Sequence, residues 1–206
     1  MAEQLLRPNA RGPSGVRGAN WQDPSAPVDA AGLADALRPF GESRMLPRSA
    51  YTDPAVFTRE QAHFFDGGWC CAGFSSQLAE AGDQRAEQTG SGSVLLVRGE
   101  DGVVRAFANT CRHRGHELLT CGASAHRNSI ICPYHAWTYA LDGVVRFASG
   151  FSSRAGFDAS AWGLTELPAS EWHGLVFVDS SGGAAARCPS PWESLLCWSH
   201  HMSRNG

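Results

Sequence analysis

Two short stretches of this 206-residue chain combine residue types that bind soft and borderline metals. Cys111-Arg112-His113 is a C-x-H pair, and Cys132-Pro133-Tyr134-His135 is a C-x-x-H pair, with 18 residues between His113 and Cys132. Thiolate and neutral imidazole are the donors that tetrahedral zinc and iron–sulfur centres take. Each pair follows a segment of strand character and opens a loop, so two loop tips can bring four donors to one end of a β structure.

That donor set admits two kinds of centre. Zinc binds four Cys/His ligands tetrahedrally, and its usual hairpins pair Cys with Cys and His with His. A Rieske [2Fe–2S] cluster needs two thiolates on one iron and two imidazoles on the other. Here each loop supplies one of each, which suits the cluster's asymmetry. Two ferric ions, two sulfides and two thiolates sum to zero charge, against −2 for an all-cysteine cluster. An electron is added more easily to a neutral centre, which raises the potential. Arg112, Arg114 and Arg127 would favour the reduced form further, or they are ordinary solvated loop charges.

The elements that must position these loops are mostly strands. The 23 glycines and 11 prolines exceed the average share of about 12% and point to a turn-rich chain. Residues 69–74, 85–89, 93–98, 103–109, 129–132, 137–141, 144–147 and 175–179 read as strands. Gly99-Glu100-Asp101-Gly102 and Asp142-Gly143 read as hairpin turns, because glycine accepts the positive φ they require. Many short strands at close spacing predict an antiparallel β sandwich or small barrel. One short α-helix precedes them: Asp53 is a cap, Pro54 suits the first helical position, and Gly67-Gly68 stops the helix after about residue 65. Phe57 and Phe64, seven apart, should share its inner face, with Arg59 and Glu60 outside. Residues 1–43 hold five Gly and five Pro with little apolar periodicity, which predicts a disordered arm. Residues 44–180 are the folded domain, and 181–206 an irregular tail.

Composition narrows the function classes. Formal net charge is −3, so a broad basic surface for nucleic acid is not expected. No run of 18 apolar residues suggests a membrane span. The first residues lack the apolar run of a secretory signal, so reduced thiols and a cytoplasmic location are expected for the seven cysteines.

Cys111-Arg-His-Arg-Gly followed by Cys132-Pro-Tyr-His-Ala-Trp-Thr-Tyr resembles the Rieske domain of ring-hydroxylating oxygenase α subunits. Tyr51-Thr-Asp-Pro with its helix, Val94–Val97, Ala106-Phe-Ala-Asn109 and Glu171-Trp-His-Gly-Leu-Val-Phe-Val178 are also similar to that family, over roughly residues 45–180. Ala136, in the usual Gly place, and the Tyr51 segment are similar to oxygenases of quaternary ammonium compounds such as choline or betaines. The resemblance implies a Rieske-type β fold and a [2Fe–2S] cluster on Cys111, His113, Cys132 and His135. It also implies a reductase or ferredoxin as electron donor. The electrons go to a mononuclear Fe(II) site, held by two His and a carboxylate in a catalytic oxygenase domain or subunit. Respiratory Rieske proteins carry an added disulfide at positions corresponding to His116 and Tyr134, and neither is Cys here, which implies the lower-potential soluble type.

The chain ends soon after this region, and His173, His200 and His201 form no iron-binding pattern. The expectation is therefore an oxygenase component that transfers electrons but does not oxygenate alone. A stand-alone Rieske ferredoxin and a zinc-stabilised binding module are the alternatives. Around the loops, Tyr134, Trp137 and Tyr139 either shield the centre, Tyr134 with a hydrogen bond towards sulfur, or pack under the loop. Gly115 either lets amides approach the centre or is a plain turn glycine. Cys70-Cys71 read as structural thiols within an apolar strand. His116 is the histidine nearest the centre; His63 and His126 read as surface or satisfied residues. Cys121, Cys188 and Cys197 have no ligand spacing.

Overall fold

Residues 27–66 and 68–181 are described in the computed structural model. Among them are eleven strands: β1 (Trp69–Phe74), β2 (Asp83–Thr89), β3 (Gly92–Arg98), β4 (Val104–Ala108), β5 (Ser124–His126), β6 (Ile130–Ile131), β7 (Thr138–Tyr139), β8 (Val145–Phe147), β9 (Glu166–Leu167), β10 (Ala169–Trp172) and β11 (Leu175–Asp179). They form three antiparallel sheets, ordered β1-β11-β10, β5-β2-β3-β4-β9 and β6-β7-β8. The mostly β, antiparallel architecture is the expected one. The eight expected strands all occur, whereas β5, β9 and β10 were not expected. These three are short, and β5 and β9 are edge strands whose pairing comes from β2 and β4 rather than from an apolar pattern of their own.

The middle sheet is covered on both faces, and β3 shows why. Val94, Leu95, Leu96 and Val97 are all buried. Val94 and Leu96 pack with Ala72, Leu78, Val176 and Val178, towards β1 and β11. Leu95 and Val97 pack with Phe107, Ile130, Trp137 and Tyr139, towards the small sheet that carries the second loop. A strand covered on both sides reads as a continuous apolar run instead of an alternation. The turn at Gly143 fixes the small sheet against β4: its φ is +85°, and a Cβ there would lie 2.6 Å from the Phe107 ring.

The N-terminal part departs from expectation. Helix α1 (Ala30–Ala36) lies inside the stretch expected to be a disordered arm; Asp29 caps it by accepting from Gly32 N–H at 2.8 Å, and its sequence is rich in alanine. Residues 1–26 lie outside the described residues, as do Cys188, Cys197, His200 and His201. The single expected helix is three pieces: α2 (Ser49–Thr52), α3 (Pro54–Glu60) and a π-helical segment, Gln61–Phe65. Asp53 divides the first two. It precedes a proline, which disfavours helical ψ, and it adopts ψ 120° while capping Ala55 N–H at 2.8 Å. The expected faces are reversed: Phe57 and Phe64 are exposed, Arg59 and Glu60 are half-buried, and Val56 is the buried residue. A seven-residue spacing specifies a shared face but not which way that face points. No described helix is long and apolar enough to cross a membrane.

Candidate functional site

The two Cys/His loops have the same backbone frame. Cys111 N–H donates to His116 O at 2.8 Å, and Gly115 N–H donates to Cys111 O at 2.9 Å. Cys132 N–H donates to Trp137 O at 2.8 Å, and Ala136 N–H donates to Cys132 O at 3.1 Å. In both, the residue four after the cysteine has positive φ: +70° at Gly115 and +56° at Ala136. A Cβ on Gly115 would meet no atom of the chain within 4 Å, so within the protein its backbone conformation is what favours glycine. Ala136 holds the same region against its own Cβ, at a cost of about 1 kcal/mol.

Asn109 anchors the first loop to the end of β4. Its Nδ2 donates to Leu119 O at 2.7 Å and Ser93 Oγ at 3.0 Å, and its Oδ1 accepts from Leu119 N–H at 3.1 Å. The second loop is the connection between β6 and β7, and so is fixed by the small sheet. Asn109 was not expected to matter. The signal was present, because a buried amide at the end of an apolar strand needs partners.

The four donors arrive as two pairs. Cys111 and Cys132 are both buried and belong to the same core cluster. The His113 and His135 rings lie edge to face with centroids 4.7 Å apart. His135 Nδ1 is buried without a hydrogen-bond partner. A buried ring nitrogen left unpaired is costly, and a metal ion would satisfy it. Among the described residues no three Cys, His, Asp or Glu side chains form a group suited to one metal ion. A pair of thiols beside a pair of imidazoles fits a binuclear centre with split ligation better than tetrahedral zinc.

Electrostatics suit the donors to that task. Burial pushes the His113 pKa down, and His135 and Arg114 add to the effect, which favours the neutral ring with one nitrogen lone pair free to bind a metal. Burial pushes the Cys132 thiol up; the backbone N–H groups of Tyr134 and His135 oppose this by favouring the thiolate, and Cys111 raises it further. Tyr139 is fully buried, and burial followed by Cys111 pushes its phenol up, so it stays protonated. Its hydroxyl lies 3.2 Å from Cys111 Sγ and accepts from Arg112 N–H at 3.2 Å.

The tyrosine beside a sulfur is therefore Tyr139, and not Tyr134, for which a bond towards sulfur was one of the two readings. Tyr134 is exposed, and its ring lies against His135 at 3.8 Å and His116 at 5.2 Å between centroids. Trp137 is buried under the site and lies parallel to His113 at 5.0 Å, with Phe151, Phe157 and Trp162 edge-on around it. Packing and shielding thus coincide in Trp137. His116 is exposed and bonds through Nδ1 to Glu117 O at 2.7 Å. Arg112 and Arg114 are exposed beside His113, whereas Arg127 bonds through its backbone to Gly82 and Gln84 on the far side of β5 in sequence. Cys70 and Cys71 are, respectively, buried and exposed, as neighbours on a strand must be, and both are free thiols.

This fold and this donor arrangement define a class, the two-loop iron–sulfur domain, and the comparisons place the chain within it. Residues 68–153 match the Rieske [2Fe-2S] domain family, so this part of the chain is a Rieske domain, with the Rieske cluster as its cofactor. It is 39% identical over 145 residues to the carnitine monooxygenase oxygenase subunit of Escherichia coli K12, covering 70% of this chain and 38% of that protein. It is 36% identical over 180 residues to the glycine betaine monooxygenase oxygenase subunit of Pseudomonas aeruginosa, covering 87% and 40%. The crystal structure of the apo form of the quaternary ammonium Rieske monooxygenase CntA superposes with TM-score 0.61 at 32% identity, covering 79% of this chain and 46% of that one. The chain is thus a homologue of Rieske oxygenase subunits and spans about two-fifths of the length of these curated relatives.

Proposed function

We propose that Cys111 and Cys132 bind one iron of the cluster and His113 and His135 the other, and that the chain is the electron-transfer portion of a monooxygenase acting on quaternary ammonium compounds. The observation that carries this reading is the unpartnered, buried Nδ1 of His135 beside His113, together with the burial of both thiols in one core cluster. A cluster so held takes up and gives up one electron at a time. The chain's own residues prepare that exchange. Tyr139 and the amides of Tyr134 and His135 face the sulfurs and stabilise negative charge there. Trp137 and its ring of aromatics exclude water beneath His113. The half-buried imidazoles are the part of the donor set nearest to solvent, where a partner could approach.

In this reading a reductase or ferredoxin supplies the electrons, and a mononuclear iron centre in a catalytic oxygenase domain or subunit receives them. The substrate class is supported by the names of the relatives, which are subunits acting on carnitine and glycine betaine. The free thiols accord with a cytoplasmic site of action. By itself the chain transfers electrons without hydroxylating carnitine or glycine betaine; turnover with a reductase and O₂ as the only additions would refute that part.

The decisive test is EPR on the anaerobically purified chain, oxidised and then reduced with dithionite, with iron, sulfide and zinc assayed on the same sample. The expected result is a rhombic signal of low average g that appears only on reduction, with two irons and two sulfides per chain. An EPR-silent protein holding one zinc and no sulfide would replace the redox reading with a structural one.

A further inference from the structure

The two Cys/His loops are closed at their bases in different ways. The second loop leaves β6 and returns on β7, and two rungs of that antiparallel pair lie directly beneath it, Ile131 with Thr138 and Ile130 with Tyr139. The first loop leaves β4 after Ala108, and the next described strand, β5, begins only at Ser124. Under it are one isolated bridge, Thr110 with Glu117, and a long backbone bond in which Leu118 N–H donates to Asn109 O at 3.4 Å.

The Asn109 side chain stands where the missing rung would be, with only 3% of the residue exposed. Its Nδ2 donates to Leu119 O at 2.7 Å and its Oδ1 accepts from Leu119 N–H at 3.1 Å. One carboxamide therefore exchanges both bonds with the backbone of Leu119, as two paired residues do in an antiparallel ladder. The same nitrogen donates to Ser93 Oγ on β3 at 3.0 Å, and Ser93 O accepts from Asn109 N–H at 3.1 Å. Glu117 Oε1 lies at 3.4 Å as a further, weaker acceptor. The amide is thus tied to β3 on one side and to the far end of the loop on the other. An aspartate here would turn lone pairs towards Leu119 O, and an alanine would remove every one of the side-chain bonds.

We propose that Asn109 is a positioning residue for the cluster: its carboxamide clasps the base of the first loop and so sets how firmly Cys111 and His113 hold their irons. This rests on the electron-transfer reading above, in which those two residues are ligands. Cys111 lies two residues beyond the clasp. Leu118, at the loop's other end, is buried in the same core cluster as Cys111, Cys132 and Trp137. Opening the clasp releases the first loop while the sheets stay folded, and such local openings govern how fast a bound group is lost. The second loop, closed by sheet rungs, has no equivalent single point of release.

The test uses the cluster-loaded chain and follows the loss of its visible absorbance in excess EDTA, with EPR of the reduced state and urea unfolding on the same samples. Asn109→Ala and Asn109→Asp are each expected to lose the cluster about ten-fold faster than the parent, the effect of a few modest hydrogen bonds. Both should also shift the g values of the reduced cluster. Ser93→Ala removes one bond and keeps the carboxamide, and should lose the cluster about three-fold faster. Val178→Ala, in the other core cluster, should lower the urea midpoint yet keep the parent's rate of cluster loss and g values. Parent-like loss or unchanged g values in the Asn109 variants overturns the clasp; where those variants do not fold, parent-like loss in Ser93→Ala does so. Equal acceleration in Val178→Ala overturns it too, since cluster loss would then follow global stability. A parent chain holding neither iron nor sulfide refutes the electron-transfer reading, whereas a loaded chain whose cluster loss ignores Asn109 refutes the clasp alone.

Discussion

The first loop, Cys111–His116, and the second, Cys132–Trp137, share two backbone hydrogen bonds and one residue of positive φ, yet their sulfurs are supported in different ways. Cys132 is supported locally, by the amides of Tyr134 and His135 two and three residues on. Cys111 relies on Tyr139, a residue 28 positions away on β7, beyond the second loop. The conformational position differs as well: Gly115 adopts positive φ freely, while Ala136 is held there by the Cys132 and Trp137 backbone bonds on either side. One sulfur environment is thus a property of six consecutive residues, and the other exists only once two loops have met.

The largest perturbation removes a thiol. Cys111→Ser and Cys132→Ser are each expected to abolish retention of iron and acid-labile sulfide, because both loops must contribute to one centre. Full loading of either variant would show that the loops work separately. Next comes Trp137→Ala, which empties the space beneath His113 and should destabilise the protein by about 3–5 kcal/mol, read by urea unfolding. A loss below about 1 kcal/mol would mean that the surrounding rings collapse into the gap.

Tyr139→Phe addresses the long-range support alone. Losing a hydrogen bond of about 1 kcal/mol to the Cys111 sulfur should lower the midpoint potential by about 40 mV in a redox titration. Tyr134→Phe should leave the potential in place, since the residue is exposed and its ring is what touches His135. The positive-φ pair gives effects of similar size and opposite sign. Gly115→Ala should cost about 1 kcal/mol, while Ala136→Gly should stabilise by about 0.5 kcal/mol, the relief of strain being partly offset by greater freedom in the unfolded chain. Equal effects at the two positions would mean that the loops are less alike than their hydrogen bonds indicate.

The smallest effect concerns β5, which lies between the two loops in sequence. Asp83 binds His126 Nδ1 at 2.8 Å across the β2–β5 pair. The Glu80 backbone N–H first, and His126 next, hold the Asp83 carboxyl below its ordinary value of 3.8. The folded pKa is therefore the lower one. The stabilisation is fully present above about pH 4 and is lost as pH falls below that towards the folded value. Asp83→Asn should flatten this part of the acid-unfolding curve; an unchanged curve would remove the carboxylate from the account.

Much of this was legible in the chain itself. The strands 93–98 and 175–179, the turns at 99–102 and 142–143, and the capping of α3 by Asp53 follow from periodicity and from the conformational preferences of Gly, Asp and Pro. The two Cys/His pairs were legible for the same reason, since a loop closed by bonds between residues four and five apart is encoded by its own residues. Less legible were the edge strands β5 and β9, which lack an apolar pattern because a neighbouring strand supplies their order. The faces of α3 and the π-helical segment were read in reverse, since spacing leaves the direction of a face open.

The sequence by itself therefore determined the donor set and the frame of each loop, because short-range hydrogen bonds have geometry fixed by a few adjacent dihedrals. Only the tertiary structure decided which tyrosine meets a sulfur and that the two imidazoles meet edge to face. Those juxtapositions join residues 22 and 28 positions apart, His113 with His135 and Cys111 with Tyr139. They depend on β3 being packed from both sides, and no local preference along the chain specifies that closure.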